Sequence, residues 1–430
     1  MKIPAVKASA NAGIELLENR VLFSRLWSII DVQPHDESAV VNAAGPGDIL
    51  VGVDGVTPFG AALWQVDRGG AVSSRFLGAA DAGDFAEDIN STGSIVGGSW
   101  GSNTTHGVLW KRAKRGGYVR IDLGALSGPP DVFSDAKRIA DSGVIAGAAY
   151  TPNSGEHPAV AWVSRDGSVT VINLVASDPD GKSGFSHAND VSSTGLIVGD
   201  REAKAGDESS SRATVWALGR HDRVDESFIS SLGGAGNKAT GVNASGMVVG
   251  TSATTKKRSD GQAAWMGFIS NRNGSRRDVT TLGTLRHEEG SVANDINDSG
   301  IVVGSVSHWQ VGIVGGQSID RAVLWEPDGH GKFSIVPLDS LVPRHSGWTA
   351  LSEAERINND GTILGRGWKD GEFHAFLLIP SHRAPAALNQ EPVAAALTIS
   401  SAPVLPVIAP VMMLARRVDY SLFRQELPLL

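Results

Sequence analysis

The chain has 430 residues, 41% of them apolar and 20% charged, with 52 glycines, so it can build a large core interrupted by many turns. A net charge of −8 argues against a broad phosphate-binding surface, and the absence of cysteine excludes disulfides, thiolate catalysis and cysteine-ligated metal centres. No nucleic-acid path is expected, because the basic clusters at 111–115, 256–258 and 272–277 are short and local.

The first residues, "MKIPAVKASANAG", lack an uninterrupted apolar core for a standard signal peptide, since Lys7 breaks it. Residues 1–22 are read as an export- or targeting-like segment. No later stretch reaches the roughly 18 apolar residues of a spanning helix, so no membrane span is expected.

From residue 38 onward the chain repeats itself. "DINSTGSIVG" ends at Gly97, "DVSSTGLIVG" at Gly199 and "DINDSGIVVG" at Gly304. Seven copies align on Gly52, Gly97, Gly147, Gly199, Gly250, Gly304 and Gly365. A small-apolar run ending in tryptophan follows six of them, at Trp64, Trp110, Trp162, Trp216, Trp265 and Trp325, while Leu378 stands in the seventh slot. A third landmark, "IDLGAL" at 121–126, "SSLGGA" at 230–235 or "TTLGTL" at 280–285, separates units.

Each unit therefore holds four short apolar runs, too short for helices and rich in Val, Ile and Trp. They are named strand a ("SxAxxIN"), b ("GxIVG"), c ("xAxLW") and d ("xxxDLG"). Asn at the start of the a–b turn can accept backbone hydrogen bonds, and Gly at its end can take positive φ. The glycine inside "VVG" is expected to admit close approach of a neighbouring sheet. Seven four-stranded units at a spacing of roughly 50 residues point to an all-β fold, a seven-bladed β-propeller over 23–380. No d run follows Leu378, but "FSRLWSIIDV" at 23–32 has d-like composition, so the N-terminal strand is expected to close the ring. Residues 381–430, rich in proline and alanine, read as a flexible tail with at most a short helix.

The repeat resembles the HAF repeat of probable extracellular bacterial proteins, through "TTLGTLRHEEGSVANDINDSGIVVGSV" and "HAFLLIP", over about residues 38–380. The third unit, "IADSG", and the seventh, without tryptophan, depart from that pattern. "ELLENRVLFS" at 15–24 resembles the LEPR-XLL motif of exported planctomycete proteins, with Asn19 at its proline and Phe23 at a leucine. Both resemblances imply an extracellular or cell-surface location, and neither implies catalytic residues or a ligand.

"GGAGNKA" at 233–239 has the glycine spacing of a dinucleotide loop but no following helix, so it reads as structure and no cofactor is expected. Asp295, Asn297 and Gly300 resemble half a calcium loop without its glutamate, so turn capping is the better reading and no metal site is expected. No catalytic residues are assigned.

The b–c and d–a loops, which share one face of a propeller, are long and carry aromatics. Trp309, Trp348, Trp368, Trp100 and Tyr150, with Arg344 and His345, form the candidate ligand-binding set. The competing reading is that these rings only pack the loops onto the blades. The expected function is a non-catalytic, monomeric binding or scaffold module for glycan or protein. The alternative is a propeller-based lyase or glycosidase, which would be marked by carboxylates, Arg and His gathered at the centre of the ring.

Overall fold

The computed structural model describes residues 27–32 and 39–381, except 56–59, 68–70, 79–82, 101–104, 115, 127–132, 151–156, 166–167, 176–184, 203–210, 274–275 and 313–314. Seven antiparallel four-stranded sheets form a seven-bladed β-propeller. Six blades are simple meanders, as in blade 1, whose strands are Val40–Gly45, Ile49–Asp54, Gly60–Val66 and Val72–Phe76. The inner strands of the other blades are Asp84–Ile89, Phe133–Ile139, Ser186–Val191, Gly233–Val242, Gly290–Ile296 and Trp348–Ile357.

Blade 7 is a composite. Its a, b and c strands come from the end of the repeat, and its outer strand is Trp27–Asp31. Ile29 lies opposite Leu378 in that antiparallel pairing. Val32 then donates its N–H to the Ala375 carbonyl, as Leu77, Leu123, Leu174, Ile229 and Leu282 do to strand c of their own blades. These residues leave strand d and bury their side chains between blades. Residues 1–26 and 382–430 lie outside the described residues, and with them the export-like segment, the first part of the predicted closing strand and the tail.

Seven hydrophobic cores, one between each pair of neighbouring blades including 7 and 1, hold the ring together. Trp64, Trp110, Trp162, Trp216 and Trp325 are fully buried in five of them. The sixth tryptophan corrects the repeat alignment. Gly250 pairs with Phe268, so Ser270, two residues on, occupies the tryptophan slot of blade 5, while Trp265 stands toward the loop face and is 37% exposed. Phe268 is fully buried and supplies the ring that this core needs. The separator "SSLGGA" is corrected in the same way. Strand d of blade 4 is Val224–Phe228, Ile229 is its buried exit residue, and Gly233 already begins the next inner strand.

The repeat glycines are explained by the strand beside them rather than by a neighbouring sheet. Inner strands bulge immediately after their small apolar residue, as at Ala86/Asp88, Ala188/Asp190 and Ala293/Asp295. The bulge turns a carbonyl toward strand b, where a Cβ at Gly97 would collide with the Phe85 oxygen and one at Gly304 with the Val292 oxygen. The same collision recurs at Gly52, Gly147, Gly199, Gly250 and Gly365.

Candidate functional site: the charged axis and the loop face

The recurrent inner-strand sentence is a set of staples between blades. Its serine accepts an N–H from strand c of the preceding blade, as Ser134 does from Gly107 and Ser186 from Ala159. The residue in the bulge reaches forward: Asn42 donates to the Ala86 carbonyl, Asn189 to Ala239 and Thr240 to Ala293. The next position holds Asp in blades 2, 4 and 6. Asp88, Asp190 and Asp295 accept the N–H of Ile139, Val242 and Ile357 at 2.9, 2.8 and 2.9 Å. The turn asparagine caps its own turn, Asn90 accepting from Thr92 and Ser94, and its amide bonds the Ala140 carbonyl of blade 3. The half calcium loop at Asp295 and Asn297 is committed to these bonds. Among the described residues, no group of three or more His, Asp or Glu is disposed to hold a metal ion.

The same positions bring charge to the centre of the ring. Aligned, "AEDI" (86–89), "AKRI" (136–139), "ANDV" (188–191), "ANDI" (293–296) and "AERI" (354–357) put Glu87, Lys137 and Glu355 in one slot and Asp88, Arg138, Asp190, Asp295 and Arg356 in the next. Arg138 Nε lies 3.9 Å from Asp190 Oδ1, both side chains largely withdrawn from water. Burial, reinforced by the Asp135 carboxylate, pushes Glu87 up to about 7. Burial and the Asp295 carboxylate push Asp190 up to about 7. Burial likewise raises Asp135 and Asp295. His187 stands one layer toward the loop face, with its Nδ1 3.5 Å from Asp200 Oδ2. Carboxylates, guanidiniums and a histidine are therefore gathered on the inner strands. The aligned slots could have revealed this, but the residues vary in sign from blade to blade and so escape a search for recurrence.

The residues proposed from sequence lie on the opposite end of the strands from the "INxxG" turns. Trp100 is 54% exposed and packs on Phe85 with ring centroids 5.4 Å apart. Trp368 and Phe373, 46% and 48% exposed, face each other across the b–c hairpin of blade 7 at 5.3 Å. Tyr150 joins a row with Phe133, His157 and Phe185 across blades 3 and 4. Burial, together with the nearby His187, lowers the His157 imidazole to about 4, so it stays neutral and serves as an aromatic ring.

Trp309 lies under the Arg258 guanidinium at 4.8 Å, on a hairpin of blade 6 (Val302–Gly312 and Gly315–Pro327). The long b–c loop expected to carry Trp309 is thus mostly paired strand. Trp348 is half-buried with its edge on Phe376 at 5.5 Å, and it begins the inner strand of blade 7. Arg344 and His345 are exposed in the preceding turn, His345 at φ 70°. The set therefore occupies one end of blades 2, 3, 6 and 7 rather than a single cluster. A cavity of about 120 Å³ lies on the opposite face between blades 2 and 3, lined by Asn90, Asp141, Lys111 and Trp162 among others.

Strand pairing and the two charge and aromatic zones define the class, a seven-bladed propeller with a charged axis and an aromatic-bearing loop face. The family described as "Protein of unknown function (DUF3466)" matches residues 207–372, which is less than half of the chain. No match is found among the curated proteins. Among solved structures, the chain is similar to the β-propeller domain of the Trilobed protease from Pyrococcus furiosus, at 9% identity and TM-score 0.42, covering 81% of this chain and 84% of that one. It is also similar to Trypanosoma rangeli sialidase in complex with sialic acid, at 12% identity and TM-score 0.39, covering 83% of this chain and 59% of that one. A structure from a study of two prolyl endopeptidases matches at 10% identity and TM-score 0.42, covering 85% and 50%. These likenesses carry no activity to this chain. No helix among the described residues is long and apolar enough to cross a membrane.

Proposed function

We propose that the protein is a non-catalytic secreted or cell-surface propeller that binds a glycan or a protein through its b–c/d–a face. One observation carries the reading: the asymmetry of exposed apolar side chains. Of the nine exposed large apolar side chains among the described residues, six (Trp100, Phe133, Trp265, Ile319, Trp368 and Phe373) stand at least three residues beyond the repeat-glycine level toward that face, while Phe76 and Phe228 lie at that level and Val119 lies toward the other face. Half-exposed aromatic rings on hairpins held by rigid blades are suited to recognition. The resemblances to HAF and LEPR-XLL sequences support the extracellular location. The test is a glycan and surface-protein array probed with the full chain and with a W100A/W368A/F373A variant. The variant should keep its melting temperature and lose the bound ligand. A folded variant that binds as before removes this reading.

A second reading, a carbohydrate-active enzyme acting through the axis, is favoured by Glu87 and Asp190, which hold protons near neutrality as a general acid must. It predicts cleavage of a polysaccharide that E87Q abolishes.

A further inference from the structure

We infer that the axis of the ring is a proton-operated lock: carboxyls on the inner strands of blades 2 and 4 take up protons in acid and thereby tighten the ring. Glu87 faces Asp135, Lys137 and Arg138 on the inner strand of blade 3, and Arg356 on that of blade 7. Asp190 faces Arg138 from blade 3, Asp295 from blade 6, the Val242 N–H from blade 5 and Arg356 from blade 7. Blades 4 and 7 are not neighbours, so Arg356 and Asp190 interact across the axis.

Carboxylates and cations crowd together there: Glu87, Asp88, Asp135, Asp190 and Asp295 share the axis with Lys137, Arg138 and Arg356, His187 acts on Asp135, and Glu355 is taken up by Arg366. Asp88, Asp190 and Asp295 cannot turn away, because each holds a backbone N–H of the next blade. The ring is thus built to keep like charges together, and protonation is the available relief.

The sign follows from linkage. Glu87 and Asp190 titrate near 7 in the folded ring and near 4.5 and 3.8 without it. Their contribution to stability is complete below those lower values and is lost as pH rises through about 7. His157, lowered to about 4, acts in the opposite sense between its ordinary value and that one, so wild-type behaviour must be compared with variants.

The test is the melting temperature of the full chain between about pH 8 and about pH 5, for wild type, E87Q, D190N and the double variant. The amide of D190N can still accept from Val242. Wild type should gain several degrees more than the double variant on acidification, and the double variant should melt above wild type at the alkaline end. Parallel profiles overturn the lock. Should the variants fail to fold, infrared spectra of the folded wild type decide. A protonated-carboxyl band should be present at about pH 6 and gone by about pH 9. Its absence at the lower pH overturns the proposal.

Discussion

Ile29, in the first described strand, pairs with Leu378 in the last, so blade 7 is assembled from both ends of the repeat region. Every other blade is continuous in sequence, and this one pairing makes ring closure depend on a strand contributed from far away in the chain. A chain starting at Ser38 would expose the edge of strand Glu372–Pro380 and remove Val32 from the core between blades 7 and 1. It should melt lower than the full chain and aggregate. Equal stability in calorimetry would show that closure contributes nothing.

The closing strand also carries a titratable clasp. Asp31 Oδ2 bonds Lys369 Nζ and His374 Nδ1, each at 2.8 Å, and His374 Nε2 lies 3.2 Å from Glu372. Burial alone would lower the His374 imidazole, but its bonds to Asp31 and Glu372 outweigh that and raise it. A raised folded value means stability that is present in acid and lost as pH rises through it. H374Q should therefore melt below wild type in acid and converge with it at alkaline pH. A constant difference between the two across pH would contradict this.

The tryptophan slots separate two kinds of ring. W110A, in the core between blades 1 and 2, should cost about 3–5 kcal/mol, as large core truncations do. W265A removes a ring that is already 37% exposed and should cost less than about 1 kcal/mol. Urea unfolding of both variants checks the contrast, and equal losses would contradict the corrected register of blade 5.

Glycines offer a second contrast. G97A drives a methyl into the Phe85 carbonyl of the bulged strand and should cost about 3 kcal/mol or more. G116A meets nothing within reach, and its penalty comes only from φ 85°, about 1 kcal/mol. The two substitutions are chemically identical, so denaturant midpoints that coincide would refute the steric account.

Much of this was legible in the chain itself. Recurrence of "INxxG", "VVG" and a terminal tryptophan determined four strands per unit and seven units, because each copy must satisfy the same local demands of turn, pleat and core. The missing seventh d run even located the closing strand. Local pattern failed where a neighbour could supply the same need. Trp265 looked like a core residue, but Phe268 fills that space and only the pairing of Gly250 with Phe268 reveals it.

The aromatic residues of the loop face were visible as sequence, whereas their exposure was not. Trp348 and Trp368 differ because one lies against Phe376 and the other stands half in water, a matter of packing rather than residue type. The charged axis belongs wholly to the tertiary structure. Glu87 and Asp190 are ordinary carboxylates in sequence, separated by about two repeats. They become an electrostatic problem only when closure brings the inner strands around one centre, where burial and the carboxylates of other blades raise them against the pull of Arg138 and Arg356.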